Sequence, residues 1–463
     1  MIPPPKPVTS LWKREWKSLV RLATPVVAVQ VGQLMMGIVD TIMVGYLPGE
    51  AVEGRALGQV AIGHAYSWFW LYFGIGALLA IDPLVSQAVG AKDETAIARA
   101  MQRSLVLAAL LALPIVAMLL IAPLGLRLLA QPEGVIAGAA PYAQICAVSV
   151  PALLVFSIVR QGLQAMDRVA STVWTLLAAN GVNVLLNWVF VYGNLGAPRL
   201  EAVGSAWATV CSRCFMAATL LLIAWPHLRS YLRPWRHDAT DRRALARMMR
   251  IGTPIGLQHQ LELGIFAFTA IMMGWISERA VGGHMVALHL SALTFMVPMG
   301  ISGAGGVRVG QAVGRGDADG ARRAAVLSFA LGIGAMAACA ILFLLIPGPL
   351  ARIWTPKVEV LAVAVTLIPI AAVFQVFDGA QVVAIGVLRG LGDTRTPVIT
   401  AILGFWLIGF PVGYGLGFGL DWGATGLWWG LVAGLAAVAV ALGHRVRVHL
   451  RGDIGRLQID HSD

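Results

Sequence analysis

Four carboxylates stand inside apolar stretches of this chain: Asp40, Asp82, Glu262 and Asp378. A charge at the centre of a bilayer costs a few kcal/mol even on lenient insertion scales, so such groups face protein or water and are functional candidates by default. Asp40 follows Gln30, Gln33 and Gly37 at steps of 3, 4 and 3, which puts all four on one helical stripe. Gln258, Glu262 and Thr269 share a second stripe, Gln375 and Gln381 flank Asp378 three residues to either side, and Asn180, Asn183 and Asn187 form another polar row. A buried carboxylate has its charged form disfavoured by desolvation and restored by a nearby cation. An organic cation, Na⁺ and H⁺ can each meet that need, so they compete for the same acids. Asp82, just before Pro83 near a helix end, suits a local backbone role equally well.

The elements that position these acids follow from composition. Hydrophobic residues make up 58% of the 463 positions and charged residues only 12%, against roughly 25% charged in soluble domains. The apolar residues fall in blocks that approach or exceed the roughly 20 residues needed to cross a hydrocarbon core. Twelve spans are expected, near 19–46, 60–84, 101–124, 138–159, 170–193, 203–226, 251–275, 284–307, 324–347, 364–387, 397–419 and 423–443. With both termini on one side, 27 of the 34 Lys and Arg residues fall in segments on that side and six on the other, with Arg213 inside a span. The positive-inside rule then places both termini in the cytoplasm. The net charge of +11 is thus a topology signal that also suits anionic lipid, not a nucleic-acid signal. The Pro-rich basic start (Pro3–Pro7) leads into a full-length span, so no cleavable signal peptide is expected. Cys146, Cys211, Cys214 and Cys339 read as small packing residues, and Arg213 as a cation that snorkels or pairs internally.

The chain also repeats itself. Thr24-Pro25 and Thr253-Pro254 open the first and seventh spans 229 residues apart, and Gly45 meets Gly274 at the same offset. VSQAVGAKDETAIARA (Val85–Ala100) and VGQAVGRGDADGARRA (Val309–Ala324) agree at eight of sixteen positions. Gln161–Leu163 (QGL) likewise pairs with Arg389–Leu391 (RGL). The expected organisation is an N-terminal lobe 1–226, a basic cytoplasmic connector 227–248, a C-terminal lobe 249–450 and a tail 451–463. Six spans per half make the repeat parallel, an arrangement that places substrate at the interface of the halves and alternates access by rocking. The acids occupy non-equivalent places in the two copies: Glu262 corresponds to Gln33, and Asp40 to Thr269. That asymmetry favours function over a shared structural role.

Nothing points to an enzyme. G-x-x-x-x-G-K-[ST], HExxH and a nucleophile elbow are all absent from the sequence. Energy must then come from an ion gradient or from the substrate's own gradient. Met35, Met36, Phe266, Phe268, Met272 and Met273 lie near the acids. Most are packing residues, but flexible thioethers and aromatic faces also suit bulky aromatic cations, so some (Met273 among them) are candidates to line an adaptable pocket.

The segments VGQLMMGIVDTIMVG (Val31–Gly45), VSQAVGAKD (Val85–Asp93), GVNVLLNWVFVYG (Gly181–Gly193), LELGIFAFTAIMMG (Leu261–Gly274), VRVGQAVGRGD (Val307–Asp317) and FDGAQVVAIGVLRGLGDTRTP (Phe377–Pro397) resemble, in the correct order, the multidrug and toxic compound extrusion (MATE) transporters. Glu in span seven with Asp in span ten is similar to the bacterial NorM branch. The resemblance implies an all-α polytopic membrane protein of twelve transmembrane helices, two pseudo-symmetric six-helix lobes around a central cleft. It implies export of organic, often aromatic drugs or dyes in exchange for Na⁺ or H⁺, from a monomer in the bacterial inner membrane with no bound cofactor. Glu262 and Asp378 match the cation-binding acids of the C-terminal lobe and are where Na⁺ would sit. Asp40 matches the acid of the N-terminal lobe, with Asn183 and Asn187 matching its asparagines and Gln33 on its stripe. Phe266 falls at a position near the bound cation, and Gln258, Gln375 and Asp82 join it as cleft candidates. Asp82 stands where many bacterial relatives carry a neutral residue, which leaves the choice of ion open. The rival reading is a lipid-intermediate flippase of the same superfamily. Extra spans and a cationic cleft are expected of such a flippase, whereas the candidates here are acidic and the count stops at twelve.

Overall fold

The computed structural model describes residues 8–47, 55–452 and 454–457. Pro3–Pro7 and most of the tail assigned to 451–463 therefore lie outside the described residues. The helices are α1 (Val8–Gly45), α2 (Arg55–Leu78), α3 (Ile81–Ala91), α4 (Glu94–Leu120), α5 (Ala122–Leu128), α6 (Glu133–Ala147), α7 (Val150–Ala165), α8 (Ala170–Phe190), α9 (Glu201–Leu232), α10 (Arg242–Ile276), α11 (Glu278–Gly314), α12 (Ala318–Leu345), α13 (Pro347–Arg352), α14 (Val358–Leu391), α15 (Arg395–Ala401), α16 (Phe410–Tyr414) and α17 (Gly423–Arg451). No strand occurs among the described residues. Backbone amides have no water to bond to in hydrocarbon, so spanning segments close their hydrogen bonds within each helix.

Among the described residues, ten helical stretches are long and apolar enough to cross a membrane, taking α2 with α3 as Ala56–Ala91 and α15 to α16 as Arg395–Gly419. The pair α6 and α7, bent by 54° at Val148 and Ser149, makes an eleventh. The remaining long helix is α10, of 35 residues. It falls short of that standard because Gln258, His259, Gln260 and Glu262 interrupt its apolar sequence. Each of the twelve expected spans thus coincides with helix, and the chain is an all-α, multi-pass membrane protein. Helices run past the expected limits where apolar sequence has already ended. At 1.5 Å per residue the 38 residues of α1 reach about 57 Å, well beyond a hydrocarbon core of about 30 Å. Its first turns accordingly expose Lys13, Arg14 and Lys17.

The described residues of Met1–Gln30, Ser86–Lys92 and Leu257–Gln458 form one compact unit, and those of Val31–Val85, Asp93–Gly256 and Ile459–Asp463 form the other. The first unit explains part of the sequence repeat. Gly90 of α3 packs on the backbone of Gln311 in α11, and Gly314 packs on the backbone of Gln87 in turn, so a Cβ at either would strike a carbonyl oxygen. Gln87 donates to the Gly390 carbonyl at 3.0 Å and accepts from the Leu457 amide at 2.7 Å. Arg308 closes a two-pronged ion pair on Glu15, both bonds at 2.8 Å. The repeated Asp93 and Asp317 are N-caps: Asp93 accepts from the Ala96 amide at 2.9 Å and Asp317 from the Gly320 amide at 2.7 Å.

In the second unit the segment expected as connector, 227–248, is mostly helix. α9 runs on to Leu232 and α10 begins at Arg242. The intervening turn is fastened by Gln102, which donates to the Tyr231 and Pro234 carbonyls and accepts from the Arg236 amide. Asp238 pairs there with Arg99 at 2.9 Å. Tyr142 and Cys146 lie in a buried core with Val44, Val60 and Val191, the packing role expected of that cysteine.

Candidate functional site

In the first unit the acids come from two helices. Glu262 stands on α10, half-buried, and Asp378 on α14. Glu262 Oε1 accepts from Gln258 Nε2, one turn earlier, at 3.1 Å, and from Gln381 Nε2 of α14 in a short bond. Gln381 lies one turn beyond Asp378, and the two carboxyl groups are within each other's coulombic field. No hydrogen bond reaches Asp378 among the described residues. Gln375, one turn before Asp378, is fully buried and takes a short bond from Thr294 of α11. The row Gln375–Asp378–Gln381 therefore anchors at both ends and holds a carboxyl group between its anchors. Phe266, one turn past Glu262, meets Phe374 edge-on at 6.1 Å, and Phe374 meets Trp428 edge-on at 5.9 Å. Met273 is completely buried, as packing requires.

Asp40 of α1 sits in the second unit and is only 2% exposed. Its Oδ1 accepts from Asn183 Nδ2 at 3.0 Å and Asn187 Nδ2 at 2.7 Å, both on α8. Its Oδ2 accepts from Thr209 Oγ1 of α9 at 2.7 Å. Acceptor-only carboxylates satisfy themselves in this way when buried. Asn180, the third member of that row, turns away and donates to the Gly32 carbonyl at 3.0 Å. Gln33, two turns before Asp40, is half-buried. One turn past Thr209 on α9, buried Arg213 donates to Ser149 Oγ at 3.2 Å and lies over the Trp68 ring at 5.3 Å. Trp68 Nε1 donates in turn to His64 Nε2 at 2.6 Å.

Asp82 is at the first turn of α3 and nearly buried. The Gln161 amide of α7 lies against the Asp82 carboxyl group; exchanging its oxygen and nitrogen lets it donate to both carboxylate oxygens, at 2.5 and 3.1 Å. Its nearest described surroundings are thus those of a helix-end carboxylate held by a neighbouring helix.

The sequence stripes placed the acids and amides on the right faces but not their partners. Thr209, Thr294, Phe374 and Trp428 carried no signal of their own, because hydroxyls and aromatic rings are common in membrane helices. Gln381 had one, its spacing from Asp378, yet its bond reaches the other acid, Glu262.

The MatE family model matches this chain twice, over residues 25–189 and 254–415. The two matches begin 229 residues apart, the offset of the sequence repeat. The chain is 33% identical over 446 residues to the probable multidrug resistance protein NorM of Mesorhizobium japonicum, covering 94% of each. It is 33% identical over 444 residues to the multidrug resistance protein MdtK of Edwardsiella ictaluri, covering 94% of this chain and 95% of that one. Among solved structures, the eukaryotic MATE transporter AtDTX14 superposes with a TM-score of 0.85 at 21% identity, over 95% of this chain and 98% of its own. A mutant of the Vibrio cholerae MATE transporter VcmN gives a TM-score of 0.85 at 18% identity, over 96% and 98%. With two family-model matches over residues 25–189 and 254–415, relatives at one-third identity along nearly the whole chain and the same fold, the chain belongs to the MatE family.

Proposed function

We propose that the chain is a secondary active multidrug exporter, exchanging organic cations, aromatic drugs and dyes among them, for Na⁺ or H⁺ by alternating access. The observation that carries this reading is the pair Glu262 and Asp378, two carboxyl groups on spanning helices, with Gln381 of the Asp378 helix bonded to Glu262 and with Phe266 and Phe374 beside them. Two acids provide charge for a cation, and the rings provide a π-face for an aromatic one. Asp40 is the acid of the N-terminal half, held by Asn183, Asn187 and Thr209. Gln33 and Asp82 in one unit, and Gln258 and Gln375 in the other, are the polar residues assigned to substrate contact beside these acids. The protein works as a monomer in the inner membrane, with both termini in the cytoplasm, anionic lipid around its basic loops and no cofactor beyond the coupling ion. With the interior negative, each net charge that enters supplies about 2.3 kcal/mol per 100 mV.

Dye efflux from everted vesicles, with the Na⁺ and pH gradients imposed separately, tests this reading. Accelerated dye transport under one of the gradients is expected. Transport indifferent to both gradients contradicts it, and movement of lipid intermediates in place of dyes favours the flippase.

A further inference from the structure

Arg213 is a full charge buried at the membrane-spanning level of α9, and the exchange just described gives it no task. The geometry assigns it one: we infer that Arg213 is the built-in counter-charge of Asp40, which makes the Asp40 pocket electroneutral when empty and leaves the driving-ion load to Glu262 and Asp378. This inference rests on the exchange reading and divides the labour within it.

The residues form a closed ring across three helices of one unit. Thr209 donates to Asp40 Oδ2 at 2.7 Å, and Arg213 follows it by one turn, so the two share a face of α9. Arg213 is fixed from outside the pair by Ser149 and by the Trp68 ring. Trp68 leads to His64, whose Nε2 lies 3.6 Å from the Cβ position of Gly37, three residues before Asp40 on α1. The guanidinium lies within coulombic reach of Asp40, of His64 on α2, and of Tyr142 and Cys146 on α6. Among these groups only Asp40 supplies negative charge. His64 accepts a hydrogen bond at Nε2, so that nitrogen carries no proton, while the phenol and thiol are neutral. Asp40 and Arg213 are the one pair of opposite formal charge among them.

The donor set agrees. All three partners of Asp40 point hydrogens at it, which suits an anion with no metal ion beside it. The oxygens Asn183 Oδ1 and Asn187 Oδ1 are buried and make no hydrogen bond among the described residues. They are the atoms that would turn toward Na⁺ if the local charge allowed one to enter. Like charges a few ångströms apart at an effective dielectric near 20 repel strongly, so the guanidinium weakens the binding of a second cation there. Arg213 thus excludes a monovalent cation from a pocket whose ligands are otherwise present.

The test measures ²²Na⁺ binding and Na⁺-dependent thermal stabilisation in the full chain carrying Glu262→Gln and Asp378→Asn. With Arg213 intact, no saturable Na⁺ binding is expected. Adding Arg213→Gln should create a site that disappears again with Asp40→Asn, and Arg213→Lys should not create it. Na⁺ binding that needs Asp40 while Arg213 is intact overturns the inference, as does a folded Arg213→Gln protein with no gain. Should Arg213→Gln fail to fold, the neutral pair Asp40→Asn with Arg213→Gln must fold better than either single variant. A pair no better than its singles also overturns it. Dye efflux by the Glu262→Gln, Asp378→Asn protein itself contradicts the exchange reading instead, so the two failures are distinguishable.

Discussion

Glu262 and Asp40 differ in how their oxygens are used, and that difference separates charge from architecture. Both hydrogen bonds to Glu262 fall on Oε1, from Gln258 and Gln381. In Glu262→Gln the new carboxamide oxygen can take that place and keep both donors satisfied, so stability should change by no more than about 0.5 kcal/mol. Glu262→Leu instead leaves two amide donors without an acceptor, at about 1–3 kcal/mol each, or roughly 2–6 kcal/mol together. Asp40 uses both oxygens, Oδ1 for the two asparagines and Oδ2 for Thr209. Asp40→Asn keeps an oxygen for the two asparagines but turns its NH₂ toward the Thr209 hydroxyl, which must give up its donor bond and accept instead, a loss of about 1 kcal/mol. Thermal melting of the purified proteins, read beside dye efflux from cells, checks the order. Glu262→Gln should melt like wild type yet export nothing, Asp40→Asn should melt lower, and Glu262→Leu should fall well below wild type. A Glu262→Gln protein as unstable as Glu262→Leu, or one that exports normally, refutes the reasoning.

Further outcomes follow from other parts of the chain. Gly90→Val and Gly314→Val drive a side chain into the backbone of Gln311 and Gln87 and should abolish folded protein on size-exclusion chromatography. Gly45→Ala, where nothing lies within 4 Å of the Cβ position, should stay folded and gain up to about 1 kcal/mol from helix propensity. Asp393 lies outside the spans; burial raises its pKa, but Arg445 and Thr396 outweigh that and hold it below its ordinary 3.8. A depressed carboxylate stabilises the fold above its ordinary pKa and loses that contribution as pH falls through the folded value. Asp393→Asn should therefore cost about 1 kcal/mol at neutral pH and remove part of the loss of stability seen on acidification below 3.8, measured by melting across pH. Reporter fusions after His227 and at the C-terminus should both read as cytoplasmic, and an outside reading at either would overturn the topology.

Much of this was legible in the residues. Hydrophobic blocks marked most of the spanning helices because a membrane demands length and apolarity together, and the polar stripes grouped Glu262, Asp378, Asp40, Asn183 and Asn187 by spacing. The internal repeat was equally plain, and the packing of Gly90 on Gln311 and of Gly314 on Gln87 gives one physical reason for its repeated glycines. Partners were not legible, since they are joined by folding across long sequence distances: Thr209 is 169 residues from Asp40, and Gln381 is 119 from Glu262. Helix ends were also hidden, as in α9, where the chain stays helical past its apolar stretch to Leu232 under a turn that Gln102 fastens. The bend of α6 against α7 lay inside one continuous apolar run, so hydropathy passed over it.

Competition for the same carboxyl groups is the core of the exchange account, and it can be measured without transport. A fluorescent aromatic cation such as ethidium is titrated onto the purified protein by anisotropy, first alone and then with rising Na⁺ or falling pH. The account predicts that one of these ions weakens dye binding in wild type, and that the Glu262→Gln, Asp378→Asn protein binds dye weakly with no remaining ion dependence. Ion-sensitive dye binding that survives both substitutions, or wild-type binding that neither ion displaces, would contradict it.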